Sequence, residues 1–293
     1  MGWGGYRRRT SGVVAAAVTT GIVVTGLMAG AVTVPIAYRA AAAHALRRPV
    51  LPAAAATLPR PENWPRAGVG ASAHRLFPPV TPPHGKGGYR FENVQADGHT
   101  PVGWDPCRPI RYVVRGRAPA GTERVIGQAV AQVGAATGLR FDYAGTTTEK
   151  PVDNRDPYQP GRYGDRWAPL LIAWSNQRET PELEGDTMGL GGAWRVPEPT
   201  ADGWGKEVYV TGTVWLDKPQ VAQMLAAGGR RSDPVGIARA LVMHELGHAL
   251  GLAHVRDRRQ LMYPETHEDV TTLAAGDRRG LAALGRVECA PAT

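Results

Sequence analysis

Residues 244–254 have the sequence HELGHALGLAH, in which three histidines and a glutamate recur at close spacing. His244 and His248 are four positions apart, so an α-helix places both imidazoles on one face. Glu245 lies beside them, and a turn after the helix can return His254 to the same point. Three neutral nitrogen ligands with an open fourth position are typical of a catalytic zinc site. The stretch therefore predicts a zinc centre held by the three histidines.

The flanking residues predict where this helix begins and ends. Asp233 is a favourable N-cap, and Pro234 suits the first helical position, where its missing N–H costs nothing. Gly251 can adopt the left-handed conformation that ends a helix. We therefore expect a helix from Pro234 to about Leu250, followed at once by the turn that carries the third histidine.

The wider sequence resembles a known family. The string H-E-x-x-H-x-x-G-x-x-H is the metzincin zinc signature, and LMYP at residues 261–264 is similar to the Met-turn of that clan. Pro264 stands where astacin-like and serralysin-like enzymes have a tyrosine ligand, so we expect no tyrosine ligand here. The strings MYP and LAAGDRRGLAAL (residues 273–284) instead resemble the matrixins. Val255 departs from the serine that is common after the third histidine of matrixins.

This resemblance implies a fold and an activity. The implied fold is an α/β (α+β), metzincin-like zincin with a twisted, mostly parallel sheet, an active-site helix, a Met-turn and a C-terminal helix, over residues 101–290. The implied activity is that of a zinc metalloendopeptidase in which Glu245 is the general base for a zinc-activated water. Met262 is expected to pack beneath the imidazoles without binding metal. A protein or peptide substrate is expected to add as a strand, with the glycine-rich residues 188–194 as the candidate rim.

Two other functions remain compatible with the motif. One is a zinc-dependent binding module without catalysis, which the intact Glu245 disfavours. The other is a zinc hydrolase of cell-wall peptides or amides, because the same activated water attacks any amide. The chemistry of the motif does not distinguish this second function from protein hydrolysis.

Hydrophobic patterns predict the elements around the motif. Apolar runs predict strands at residues 110–114, 139–143, 170–174 and 208–216, the third of them buried on both faces. Residue 212 is a glycine, which allows either one kinked strand or a pair there. Thr122 is a candidate N-cap for a helix that Gly138 ends.

The N-terminal residues predict export. Arg7, Arg8 and Arg9 precede an apolar stretch without acidic or basic residues up to Tyr38, and we expect residues 1–45 to be a membrane anchor or a cleaved signal. The length of the stretch slightly favours the single-pass anchor, and Ala43 and Ala45 suit signal cleavage. Both possibilities place the remaining chain outside the cytoplasm, anchored or secreted. Residues 46–100, rich in Pro, Ala and Gly, are expected to be a linker or extended stalk, with a compact propeptide as the less favoured alternative.

Charge argues against nucleic acid as a partner. The formal charge is +8, but residues 1–48 carry six arginines and no acidic residue, which leaves +2 for the rest. Binding to phosphates requires a dense basic surface, so we expect none. The expected partners are a protein or peptide substrate and, through residues 1–45, a membrane. We expect a monomer.

Two further sites follow from residue types. Cys107 and Cys289 form an even pair in an exported chain, which favours a disulfide, with a zinc-blocking Cys107 thiolate as the alternative. An oxygen-rich segment makes calcium conceivable, although its spacing matches no EF-hand loop and favours an ordinary solvated loop. The residues of that segment are Asp153, Asn154, Asp156 and Asp165.

Overall fold

A computed structural model describes residues 61–201, 203–227, 233–265 and 268–293. The predicted anchor or signal over residues 1–45 lies outside them. Among the described helices, none has both the length and the apolar character needed to cross a bilayer.

Strands and helices alternate through the described residues. The strands are β1 (Arg90–Phe91), β2 (Gly103–Trp104), β3 (Ile110–Arg115), β4 (Phe141–Thr147), β5 (Leu170–Ser175), β6 (Gly189–Thr200), β7 (Gly203–Asp217) and β8 (Leu252–Ala253). The helices are α1 (Val125–Thr137), α2 (Pro160–Tyr163), α3 (Lys218–Ala227), α4 (Pro234–Leu250) and α5 (Ala275–Leu284), with a 3₁₀ turn at Pro181–Leu183.

Six strands form one mixed sheet. Its main order is β2-β7-β5-β3-β4, and all neighbours along this path are parallel. β6 pairs with β7 in the antiparallel direction. A separate two-stranded sheet joins β1 to β8. The predicted α/β fold with a mostly parallel sheet, an active-site helix and a C-terminal helix is confirmed.

The alternating side chains of β5 face two cores. Leu170 and Ile172 belong to the main core with residues of α1 and α4, whereas Leu171 packs on the opposite face with Val113 and its neighbours. All six residues of β5 are buried because strands flank it on both sides and side chains cover both faces. The predicted doubly buried strand is confirmed, and the main core beneath it carries α4.

Local predictions differ from the structure at one helix start. α1 begins at Val125 with Arg124 as its N-cap, and no side chain caps it. Thr122 was therefore the wrong N-cap, because its hydroxyl donates to the Pro119 carbonyl of the preceding turn. Gly138 ends α1 with φ of 72°, as expected. β7 is a single strand that continues through residue 212.

The described part of the predicted linker lies against the domain. Ser72 N donates to Cys107 O, and Leu76 N donates to Pro106 O. We call residues 85–95 the N-terminal arm. Arg279 of α5 donates to the carbonyls of Gly85 and Gly87, at the start of this arm. Composition predicts the shortage of regular structure here but not these contacts, which combine backbone hydrogen bonds with hydrogen bonds from side chains such as Arg279.

Cys107 and Cys289 form a disulfide that joins a residue three positions before β3 to the C-terminal region, across a sequence separation of 182. The bridge closes a loop containing the whole main sheet apart from β2. A crosslink of this span restricts the unfolded chain strongly, so it stabilises the folded state.

Replacing both cysteines, Cys107→Ala with Cys289→Ala, should lower the free energy of unfolding by about 2–5 kcal/mol. Urea denaturation followed by tryptophan fluorescence measures the change. Reductant should bring the wild type to the midpoint of the variant and leave the variant unchanged. Equal midpoints for the oxidised wild type and the variant would contradict the stabilising role.

Candidate metal centre

α4 carries two of the candidate ligands and begins and ends as predicted. Asp233 Oδ1 accepts a hydrogen bond from Gly236 N at 2.8 Å, and Pro234 occupies the first turn. At the other end Gly251 has φ of 114°, and its N–H donates to the carbonyls of Gly247 and His248. The left-handed conformation of Gly251 reverses the chain immediately after the helix. A glycine is favoured at this position because a side chain would strain that conformation.

The reversal brings the three histidines together. The Nε2 atoms of His244 and His254 are 3.1 Å apart, those of His248 and His244 are 3.2 Å apart, and those of His248 and His254 are 3.0 Å apart. The three form one of the groups of potential ligands whose atoms converge in the described residues. The geometry thus joins two residues from one helical face with one from the following turn.

Hydrogen bonds at the other ring nitrogens determine the tautomers. Nδ1 of His244 lies 2.7 Å from the Leu261 carbonyl oxygen, and Nδ1 of His248 lies 2.8 Å from the Leu252 carbonyl oxygen. A carbonyl only accepts, so both Nδ1 atoms carry the proton and donate. In their neutral forms, His244 and His248 therefore direct their Nε2 lone pairs towards the centre of the triangle.

A divalent cation fits this arrangement. Zinc–nitrogen bonds of about 2.0–2.1 Å in a tetrahedron place nitrogen atoms roughly 3.3 Å apart, close to the observed spacings. A proton on one ring can bond to only one of the other two at a time. A divalent cation instead accepts all three lone pairs, so the donor set and spacing match a three-histidine zinc site.

Burial favours neutral rings at two positions. Desolvation lowers the pKa of His254 to about 4 and the pKa of His244 well below its usual range. For His248, burial also lowers the pKa, but the hydrogen bond to Glu92 and the charges of Glu245 and Glu92 outweigh it and raise the pKa. His248 thus differs from the other two rings in donating a hydrogen bond directly to a carboxylate, that of Glu92.

Glu245 lies at the buried junction between α4 and β6. Its relative exposure is 5 %, and burial raises the pKa of its carboxyl to about 7, partly opposed by His248. A Cβ at Gly189 would lie 2.8 Å from Glu245 Cγ, and one at Gly191 would lie 2.0 Å from the Glu245 carbonyl oxygen. The glycines of β6 therefore allow this strand to approach the helix closely at Glu245.

Met262 is buried against α4, next to Gly247 of the zinc-binding motif. It is 2 % exposed, and a Cβ at Gly247 would come within 2.5 Å of its sulfur. Asp277, buried in α5, accepts hydrogen bonds from Leu261 N at 2.8 Å and Met262 N at 3.2 Å. Sequence reasoning noted Asp277 only as part of a helix pattern and missed this contact. An acidic residue at a buried helical position was the available signal.

The other two predicted sites have different outcomes. Cys107 is bonded to Cys289, so the zinc-blocking thiolate is absent from the described structure.

The calcium prediction finds no support, because Asp153, Asp156 and Asp165 form no convergent ligand group among the described residues. Asp165 instead forms an ion pair with Arg66 and accepts a hydrogen bond from the Tyr158 hydroxyl.

Comparison with known proteins supports the sequence resemblance. Residues 195–285 match the Matrixin family model, a segment that contains all three histidines, Glu245, Met262 and Asp277. The resemblance to the matrixins is thereby confirmed for that segment, and zinc metalloprotease activity is the function it supports. No curated protein sequence matches the chain significantly.

Solved structures show only distant likeness. An archaemetzincin from Methanopyrus kandleri has TM-score 0.35 and 17 % identity, over 61 % of this chain and 94 % of that chain. A GM1-bound form of the ECX AB5 holotoxin has TM-score 0.33 and 11 % identity, over 60 % of this chain and 80 % of that chain. Likeness at this level has no bearing on function.

His254→Ala should abolish stoichiometric zinc binding at low micromolar zinc, because two neighbouring helix histidines alone supply an incomplete set. Elemental analysis after gel filtration measures the metal, and wild type should hold one zinc per chain. His99→Ala is the matched control, since the side chain of His99 is 80 % exposed. Retention of one zinc by His254→Ala would contradict the assignment.

Proposed function

Given that residues 195–285 match the matrixin family, we propose that this chain is a zinc metalloendopeptidase that hydrolyses peptide bonds with Glu245 as general base. The observation that carries the proposal is the convergence of three Nε2 atoms within 3.2 Å. His244, His248 and His254 would hold the metal. When bound there, zinc supplies Lewis-acid polarisation of a carbonyl group and acidification of a water molecule.

Glu245 then performs the proton transfers. Its carboxylate accepts a proton from the attacking water and delivers it to the amine nitrogen that leaves the cleaved bond. The buried position beside β6 keeps bulk water from competing for that proton. Neighbouring positions on one helix hold Glu245 and the ligand His244 rigidly, so the base and the metal are aligned without a mobile loop.

β6 is the strand on which we propose that substrate lies. Among the described strands it pairs only with β7, so its second edge is open for main-chain hydrogen bonds. Gly189 and Gly191 bring this strand directly against Glu245. A peptide added along the open edge gains affinity through its backbone, which accommodates varied side chains. This supports endopeptidase action on extended or unfolded chains, and residues 188–194 are the proposed rim.

We also propose that the chain works outside the cytoplasm as a monomer. The Cys107–Cys289 disulfide supports an oxidising compartment. The arginines and apolar residues within 1–45 support export, by an anchor or a cleaved signal. Recovery in salt-washed membranes identifies the anchored form, and release with an N-terminus near Arg47 identifies the secreted form. Cytoplasmic recovery with free thiols contradicts this location.

Glu245→Gln should lower kcat/KM for unfolded casein and for a quenched peptide library by about 10²–10⁴-fold, because the general base is lost. Zinc content should stay at the wild-type level, since the imidazoles are unchanged. A chelator should abolish wild-type turnover, and added zinc should restore it.

Glu184→Gln, at an exposed glutamate on the loop before β6, is the matched control and should keep wild-type turnover. Zinc-loaded wild type that cleaves no peptide would identify a binding module instead. Cleavage confined to peptidoglycan fragments would identify the amide hydrolase. Either result overturns the proposed endopeptidase.

A further inference from the structure

Glu92 lies next to one of the candidate ligands although it is far from the zinc motif in sequence. Its Oε1 atom is 3.1 Å from His248 Nδ1, across a sequence separation of 156. Since Nδ1 donates, the proton is shared between Glu92 and the Leu252 carbonyl oxygen. The side chain of His248 is 10 % exposed and that of Glu92 is 34 % exposed, so this pair lies partly shielded from solvent.

Backbone contacts hold Glu92 in place on one side. Arg90 and Phe91 pair with Ala253 and Leu252 in the two-stranded sheet, and Glu92 N donates to Gly251 O at 2.9 Å. The arm thus pairs with three of the five residues between the second and third histidines, namely Gly251, Leu252 and Ala253. This pairing aligns the carboxylate of Glu92 with the ring of His248 and supports the turn that carries His254.

Side-chain contacts hold the following residue. Asn93 Oδ1 accepts a hydrogen bond from Arg195 Nη1 at 2.8 Å, and Asn93 Nδ2 donates to the Tyr209 hydroxyl at 2.9 Å. These partners lie on β6 and β7. The arm is therefore anchored on both sides of Glu92, to the turn after α4 and to the main sheet.

The arm also packs closely against α5, and two glycines of that helix make this close contact possible. A Cβ at Gly276 would lie 2.3 Å from Gly88 O, and a Cβ at Gly280 would lie 2.9 Å from Tyr89 Cβ. The arm therefore packs directly on the helix backbone just before Arg90. The turn after α4, strands β6 and β7, and helix α5 all contact this arm. These contacts fix the position of Glu92 beside His248.

On this basis, and resting on the proposed zinc site, we propose that Glu92 is a positioning residue that completes the metal centre from the N-terminal arm. It contacts the nitrogen that faces away from the metal, so it acts through His248 and is not a fourth ligand. Its negative charge makes Nε2 a stronger donor, and its hydrogen bond restrains rotation of the ring. The arm therefore belongs to the proposed metal site.

The test is zinc affinity, measured by competition with a chromophoric chelator on the full chain. Glu92→Gln keeps the size and an acceptor but removes the charge, and should raise the zinc dissociation constant by about tenfold. Glu92→Ala removes both and should raise it further. Because the carboxylate is partly exposed, the difference between Glu92→Gln and wild type should shrink as ionic strength rises. A merely structural role predicts no such salt dependence.

Asn93→Ala is the matched control, because it weakens the docking of the arm but retains the carboxylate. Zinc affinity within threefold of wild type in both Glu92 variants would overturn the inference. Equal losses in Asn93→Ala and Glu92→Ala would also overturn it, since arm docking alone would then explain the effect. Wild type without measurable zinc affinity would instead contradict the proposed function, so the two failures are distinguishable.

Discussion

The site depends on one constraint, which is that three imidazole Nε2 atoms converge on one small volume. Unprotonated nitrogen atoms at this distance repel one another unless a cation lies between them, so the fold must hold the rings there by other means. The helix supplies two rings by its periodicity, and the left-handed Gly251 supplies the third by reversing the chain. The carbonyls of Leu252 and Leu261 then bind the outer nitrogens of His248 and His244.

The Leu261 carbonyl that orients His244 belongs to a connected set of hydrogen bonds around Met262. Val255 N donates to Met262 O at 2.9 Å, which closes the segment between the third histidine and the Met-turn. Asp277 binds the two amides at Leu261 and Met262, so α5 determines where the Leu261 carbonyl lies. A change in α5 would therefore reach the His244 ring through two hydrogen bonds, without touching the metal.

Sequence reasoning succeeded where structure follows from local spacing. The helix from Pro234, its end at Gly251 and the doubly buried β5 all follow from residues close together in the chain. It did not predict Glu92, because that contact joins positions 156 residues apart and the arm has no periodic pattern. The proline and glycine content of residues 46–100 indicated a lack of regular structure. Such composition does not reveal whether a segment without regular structure lies against the domain.

The proposed metal centre therefore depends on more than the segment that matches the family. Residues 195–285 contain the proposed ligands and the proposed base, yet α4 packs on a core to which β3 and β5 contribute, and both strands precede that segment. The disulfide connects the start of β3 with the C-terminal region, and the arm connects β8 with β6 and β7. Because rings oriented by long-range contacts are only as rigid as those contacts, the affinity for metal and the stability of the domain should be coupled. The identity of the three nitrogen donors favours a metal such as zinc, and the surrounding chain, by orienting those donors, contributes to how tightly the metal would be held.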